Sequence, residues 1–154
     1  MTAKVSGRKG NKMSEQIKID SGLKTYDVVD KERRLLCQIT FNPSDTGIAE
    51  RYEEVKKQLT NLKKDFGKRA EKKTLVEQLK ELDSIVYEKI DYLLGAEVSA
   101  SIFSIMGPFS PLSNGQFFFE NVLAAITQII QSESNENREK LNKKISKYTK
   151  KYHN

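Results

Sequence analysis

The segment running from Phe103 to Leu123, FSIMGPFSPLSNGQFFFENVL, restricts the fold more than any other part of the chain. Apolar residues lead into it and out of it, while Gly107, Pro108, Pro111 and Gly115 forbid one regular element through its middle. The chain must turn here and leave as a helix opened by three consecutive phenylalanines. Phe109 and Phe117–Phe119 put four of the seven phenylalanines within eleven positions of a chain that has no tryptophan. So much aromatic surface needs a core or a partner. On a helix, successive residues point about 100° apart, so three in a row cannot all face one core. At least one ring is therefore expected to face outward or into a subunit interface. The alternative is that Phe117–Phe119 plug the domain core.

Upstream, the period of the apolar residues changes once. From Ile17 to Phe41 it is two. Ile17 and Ile19 alternate with Lys18 and Asp20, and Leu35, Cys37, Ile39 and Phe41 share a face opposite Leu36, Gln38 and Thr40. The polar stretch from Asp30 to Arg34 between the apolar runs predicts a small antiparallel hairpin, whose apolar face needs a helix to cover it. Asn42-Pro43 then stops the strand, and Ser44, Asp45 or Thr46 is a candidate N-cap. Ile48, Tyr52, Val55, Leu59, Leu62 and Phe66 recur every three or four residues along one helix, which Gly67 ends. This stripe can pair with another chain's helix or pack on the chain's own second helix.

That second helix opens on the capping box Thr74–Glu77, carries Leu75, Leu79, Leu82, Val86, Ile90 and Leu93, and closes at Gly95. A short helix is expected over 97–106, the elbow over 107–115, and a helix over 116–131 burying Phe118 or Phe119, Val122, Leu123, Ile126 and Ile130. Ser132 to Asn137 look like a polar break before a last helix bearing Leu141, Ile145, Tyr148 and Tyr152. The predicted fold is α+β, mostly α: a small N-terminal antiparallel β-hairpin or sheet packed on a bundle of four to five helices. The regions are a disordered basic arm over 1–14, a single domain over 15–134, and a basic amphipathic helix over 135–154.

The net charge of +6 is unevenly spread. Lys4, Arg8, Lys9 and Lys12 make the first arm basic, and from Arg138 onward seven Lys/Arg face Glu139 alone. The body between them is mildly acidic. Basic ends can contact phosphate or an acidic protein, or can simply solvate their own segments.

Catalytic groups are scarce. His153 is the only histidine and Cys37 the only cysteine, too few for a triad, a Cys–His pair or a zinc site. No glycine loop of the phosphate-cradling kind is present. Carboxylate pairs such as Glu53/Glu54 and Asp83/Glu88 sit among lysines, where solvated charge is the ordinary outcome. No catalytic residue, cofactor or metal is expected. One cysteine excludes an intrachain disulfide and suits a reducing compartment. The basic start is not followed by the apolar segment of a signal peptide, and no run is long enough to span a bilayer. A cytoplasmic protein is expected. The side chains marked for partner binding are Phe103, Met106, Phe109, Phe117, Phe118, Tyr148 and Tyr152.

The run Ile90-Asp-Tyr-Leu-Leu-Gly95, then Ile102-Phe103, the elbow, and Phe119-Glu-Asn-Val-Leu-Ala-Ala-Ile-Thr-Gln-Ile-Ile130 resembles tail assembly chaperones of long-tailed bacteriophages. The stretch Ile19 to Tyr52, with Gly22-Leu-Lys-Thr-Tyr-Asp27 and Phe41-Asn-Pro-Ser-Asp-Thr-Gly-Ile48, resembles phage-encoded proteins of Firmicute hosts, and the resemblance spans residues 15 to 152. The resemblance implies a protein that binds and solubilises the tape-measure protein while the tail is built. It also implies contact with tail tube protein through a frameshifted longer form, and absence from the finished virion. A homo-oligomer is compatible with it. A structural tail or head–tail component would use the same surfaces permanently, and a nucleic-acid-binding protein would use the basic ends.

Overall fold

The computed structural model describes residues 14–66, 68 and 74–152, apart from the side chains of 141 and 148–152. The expected basic arm lies outside these residues except for Ser14, and so does His153. The fold is α+β and mostly α: among the described residues, a two-stranded antiparallel hairpin on four helices.

Strands β1 (Lys24–Val29) and β2 (Leu35–Phe41) pair with Lys24 opposite Phe41 and Val28 opposite Cys37. Their inner face carries Tyr26, Val28 and Cys37, half-buried, and Ile39 and Phe41, buried. Outside, Thr25 meets Thr40 at 2.8 Å and Gln38 donates to Asp27 at 2.7 Å, so water sees a polar surface. Asp30 organises the turn: Oδ1 accepts the backbone N–H groups of Glu32 and Arg34 at 2.9 Å, and Arg34 Nε donates to Oδ2 at 2.8 Å.

The period-two pattern before β1 does not become a strand. Asp20 Oδ1 accepts the Gly22 N–H at 2.9 Å, and Gly22 adopts φ +71° with the Asn42 side chain 2.8 Å from where a Cβ would stand. This turn diverts the chain, leaving Ile17 88% and Ile19 82% exposed. Alternation specifies a face, but a strand also needs a partner edge.

Helix α1 (Thr46–Asp65) is capped by Asp45, whose Oδ1 accepts from Gly47 N–H at 2.9 Å. Its predicted stripe points inward: Ile48, Val55, Leu59 and Leu62 are buried, and Tyr52 and Phe66 pack at the margin. It packs on helix α2 (Leu75–Leu94), within the chain itself. Thr74 Oγ1 caps α2 by accepting from Glu77 N–H, and Gly95, left-handed at φ 62°, closes it. Leu82, Val86, Ile90 and Leu93 are fully enclosed, whereas Leu75 at the helix start is exposed.

The expected helix over 97–106 shrinks to one turn, α3 (Ser99–Ile102). The Asp91 side chain holds its start, accepting Val98 N–H at 2.9 Å, Ser99 N–H at 2.8 Å and Ser99 Oγ–H at 2.9 Å. The elbow then folds back on the next helix rather than opening as a hinge. Phe118 N–H donates to Ser110 O and Phe119 N–H to Pro108 O, both at 2.9 Å, so elbow carbonyls satisfy amides that a helix start leaves free.

Helix α4 (Phe118–Tyr152) has 35 residues, about 50 Å at 1.5 Å per residue, and passes straight through the expected break at 132–137. Serine and asparagine cost a few tenths of a kcal/mol each in a helix. With no glycine or proline there, that cost does not break the ladder.

Candidate functional site

The structure brings Phe103, Phe109, Phe117 and Phe118 together, but inside the domain. Phe109 stacks on Phe66 with centroids 5.0 Å apart and meets Phe117 at 5.3 Å and Phe119 at 5.1 Å. Phe103 stacks on Tyr87 at 5.2 Å and takes Phe118 edge-on at 5.9 Å. Phe103, Phe109, Phe118 and Phe119 are buried and Phe117 is half-buried against the same core. The expectation that one ring of the triplet faces outward is therefore corrected. Helical spacing does not govern all three, because α4 begins at Phe118 while Phe117 is still extended and bridged to Pro111. Freed from the 100° rule, the first ring turns to the core beside the other two. Met106 stands at the surface, 37% exposed. The side chains of Tyr148 and Tyr152 lie outside the described residues.

A different surface remains available. Between α1 and α4 runs an open groove of about 290 Å³. Leu59 and Phe119 form its floor, Leu123 and Ala124 one wall, and Lys56 and Lys63 its rim. Its polar groups are mutually engaged. Lys63 Nζ reaches Glu120 Oε2 at 3.1 Å, and Glu120 Oε1 accepts Phe117 N–H at 2.9 Å, locking the start of α4 to α1. Thr127 Oγ1 and Tyr52 OH meet at 3.0 Å across the groove, and Lys56 Nζ lies 5.9 Å above the Tyr52 ring. An apolar trough rimmed by Lys56 and the Lys63–Glu120 pair suits the apolar face of a helix better than a small polar substrate. The sequence places Leu59 and Leu123 on apolar helix stripes and Lys56 and Lys63 on the solvated flanks of the first helix, with no sign that they border a groove. Nothing local could reveal them, since the groove joins residues about sixty positions apart.

Past the groove, α4 leaves the body. Lys24 pairs with Glu133, and Ser44 Oγ donates to it at 3.4 Å. Every described side chain from Ser134 to Lys147 is exposed, Ile145 at 54%.

Among the described residues, no three His, Cys, Asp or Glu side chains are grouped to hold a metal ion. Burial pushes the Cys37 thiol up, away from the reactive thiolate. Also among those residues, no helix is long and apolar enough to cross a membrane. Comparison with protein-family models, with curated proteins and with solved structures found no match, and the geometry of the chain itself carries the functional reading.

Proposed function

We propose that this chain is a non-enzymatic assembly factor of the tail-assembly-chaperone type, which keeps a long helical client, the tape-measure protein, soluble until the tail tube forms around it. The observation that carries this reading is the α1–α4 groove, apolar at its floor and rimmed by Lys56 and the Lys63–Glu120 pair, extended by a helix that projects beyond the domain. A client helix laid along α4 would bury its apolar face without any rearrangement of the core. The sequence resemblance over residues 15 to 152 supports the same class, and the mildly acidic body with basic ends supplies a solubilising exterior. Contact with tail tube protein follows the same resemblance.

Co-expression decides it. A tape-measure fragment that is insoluble alone should stay in the supernatant with this chain and co-purify with it. Leu123→Asp and Ala124→Asp, placed in the groove wall, should return the fragment to the pellet. A fragment that stays insoluble beside the wild-type chain rejects the proposal.

One observation favours a structural tail component instead. Ile17 and Ile19 are presented to water on an irregular segment before β1, apolar surface suited to permanent contact between subunits. Mass spectrometry of purified virions separates the two, because a chaperone is missing from the particle and a component is not.

A further inference from the structure

We infer that the distal part of α4, residues 138–152, docks an acidic amphipathic helix of a partner protein rather than a second copy of this chain. The inference rests on the client-holding reading and specifies the charge of what is held. Three observations lead to it.

First, the helix does not stop at 132–137, so positions 141, 145, 148 and 152 fall on one continuous α-helix at spacings of 4, 3 and 4. That is the spacing of a coiled-coil seam. Ile145, at the middle of it, is 54% exposed although it is a large β-branched apolar side chain.

Second, the seam is narrow. One apolar position per turn matches a helix–helix contact, whereas a helix lying in a membrane interface carries a broad apolar face. Binding to a phosphate backbone would use the lysines and leave Ile145 without a purpose.

Third, the charges beside the seam exclude self-pairing. Positions flanking Ile145 in such a seam are Asn142 and Lys144, both exposed. Two copies laid antiparallel would oppose Lys144 to Lys144. Laid parallel, Lys144 would meet position 149, a threonine. Neither arrangement supplies an acid, and each copy brings seven Lys/Arg against Glu139 alone over 138–152. A partner helix with Asp or Glu beside its apolar seam meets these lysines in either orientation.

The test uses the full chain and two synthetic heptad peptides, each with leucine at its seam, one flanked by glutamate and the other by lysine. Fluorescence anisotropy should show the glutamate peptide binding at least about tenfold tighter. Ile145→Asp should weaken that binding about tenfold. Lys144→Glu should shift preference towards the lysine peptide. All these side chains are exposed, and an unchanged thermal melt for each variant checks that the fold is intact. Equal affinity for both peptides overturns the inference. So does tighter binding to polyuridylate or to phosphatidylglycerol vesicles, unaffected by Ile145→Asp, or a wild-type dimer in light scattering that Ile145→Asp dissolves. If both α4 variants still keep the tape-measure fragment soluble, the docking strip falls while the chaperone reading stands. If the glutamate peptide binds as described but the fragment stays insoluble, the reverse holds.

Discussion

Arg51 Nε donates to the carbonyl oxygen of Leu93 at 3.1 Å, tying the second turn of α1 to the last turn of α2. Its Nη2 reaches Asp45 Oδ2 at 3.0 Å, and its guanidinium lies 5.9 Å from the centre of the Tyr92 ring. One cation thus meets an otherwise free helix-end carbonyl, the negative end of that helix and the cap of the other helix. Arg51→Ala should cost about 1–2 kcal/mol in urea unfolding, and Arg51→Lys should recover only part, since an ammonium cannot span both acceptors. The Gly47 N–H, and then Arg51, hold the Asp45 carboxyl below its usual range. A lowered folded pKa means the Asp45 contribution is complete above about pH 4 and is lost as pH falls through the lower, folded value. Asp45→Asn should flatten that acid limb.

Asp91 fixes the chain reversal after α2 through three bonds to Val98 and Ser99. Asp91→Ala should destabilise by about 2 kcal/mol, in the range of a lost cap with additional orphaned donors. Ser99→Ala removes only the hydroxyl donor and should cost roughly half as much. Chemical denaturation of the two variants checks the ratio.

Phe119 is 2% exposed, on the floor of the groove and against Phe109. Phe119→Ala should destabilise by about 3–5 kcal/mol, whereas Met106→Ala at the surface should change stability by less than about 0.5 kcal/mol. Similar small effects at both positions would mean that the elbow aromatics are not core.

Gln78 is 1% exposed, and neither amide atom finds a partner among the described residues. A buried, unpaired amide carries an uncompensated desolvation cost. Gln78→Met keeps the volume and removes the polar atoms, so it should raise stability by about 1 kcal/mol, read as a higher urea midpoint at unchanged m-value.

Asp83 shows the opposite sign to Asp45. Burial raises its carboxyl pKa, so ionisation opposes folding. The penalty is absent below the ordinary aspartate range and grows as pH rises through the window between the unfolded value and the raised folded value. Asp83→Asn should therefore stabilise the protein at pH 7, with the gain disappearing near pH 3. A thermal-melt series across pH measures it.

Much of the fold was legible because its signals are local. Thr74 capping α2, Gly95 closing it and the stripe from Ile48 to Phe66 depend on hydrogen bonds and spacings within a few residues. The break assigned to 132–137 failed for the complementary reason. Polar composition there resembled a loop, but only a missing amide or an unfavourable backbone conformation would have stopped the ladder. The arm at Ile17 and Ile19 failed because a strand is a property of two segments, and Gly22 turns one of them away.

The sequence by itself determined which positions are apolar, where α1 begins, where α2 begins and ends, and that both ends of the chain are basic. Only the tertiary structure decided that all three rings of the phenylalanine triplet pack on the core, Phe117 half-buried, and that the available surface lies between α1 and α4. The inward turn of Phe117 requires carbonyls of Pro108 and Ser110 to receive the first amides of α4, and Phe66 to lie within 5.5 Å of its ring. The pairing of Lys63 with Glu120 and of Lys24 with Glu133 likewise joins residues 57 and 109 positions apart. Spacing along a chain carries no record of such meetings, because they are set by how whole elements pack and not by the period within any one of them.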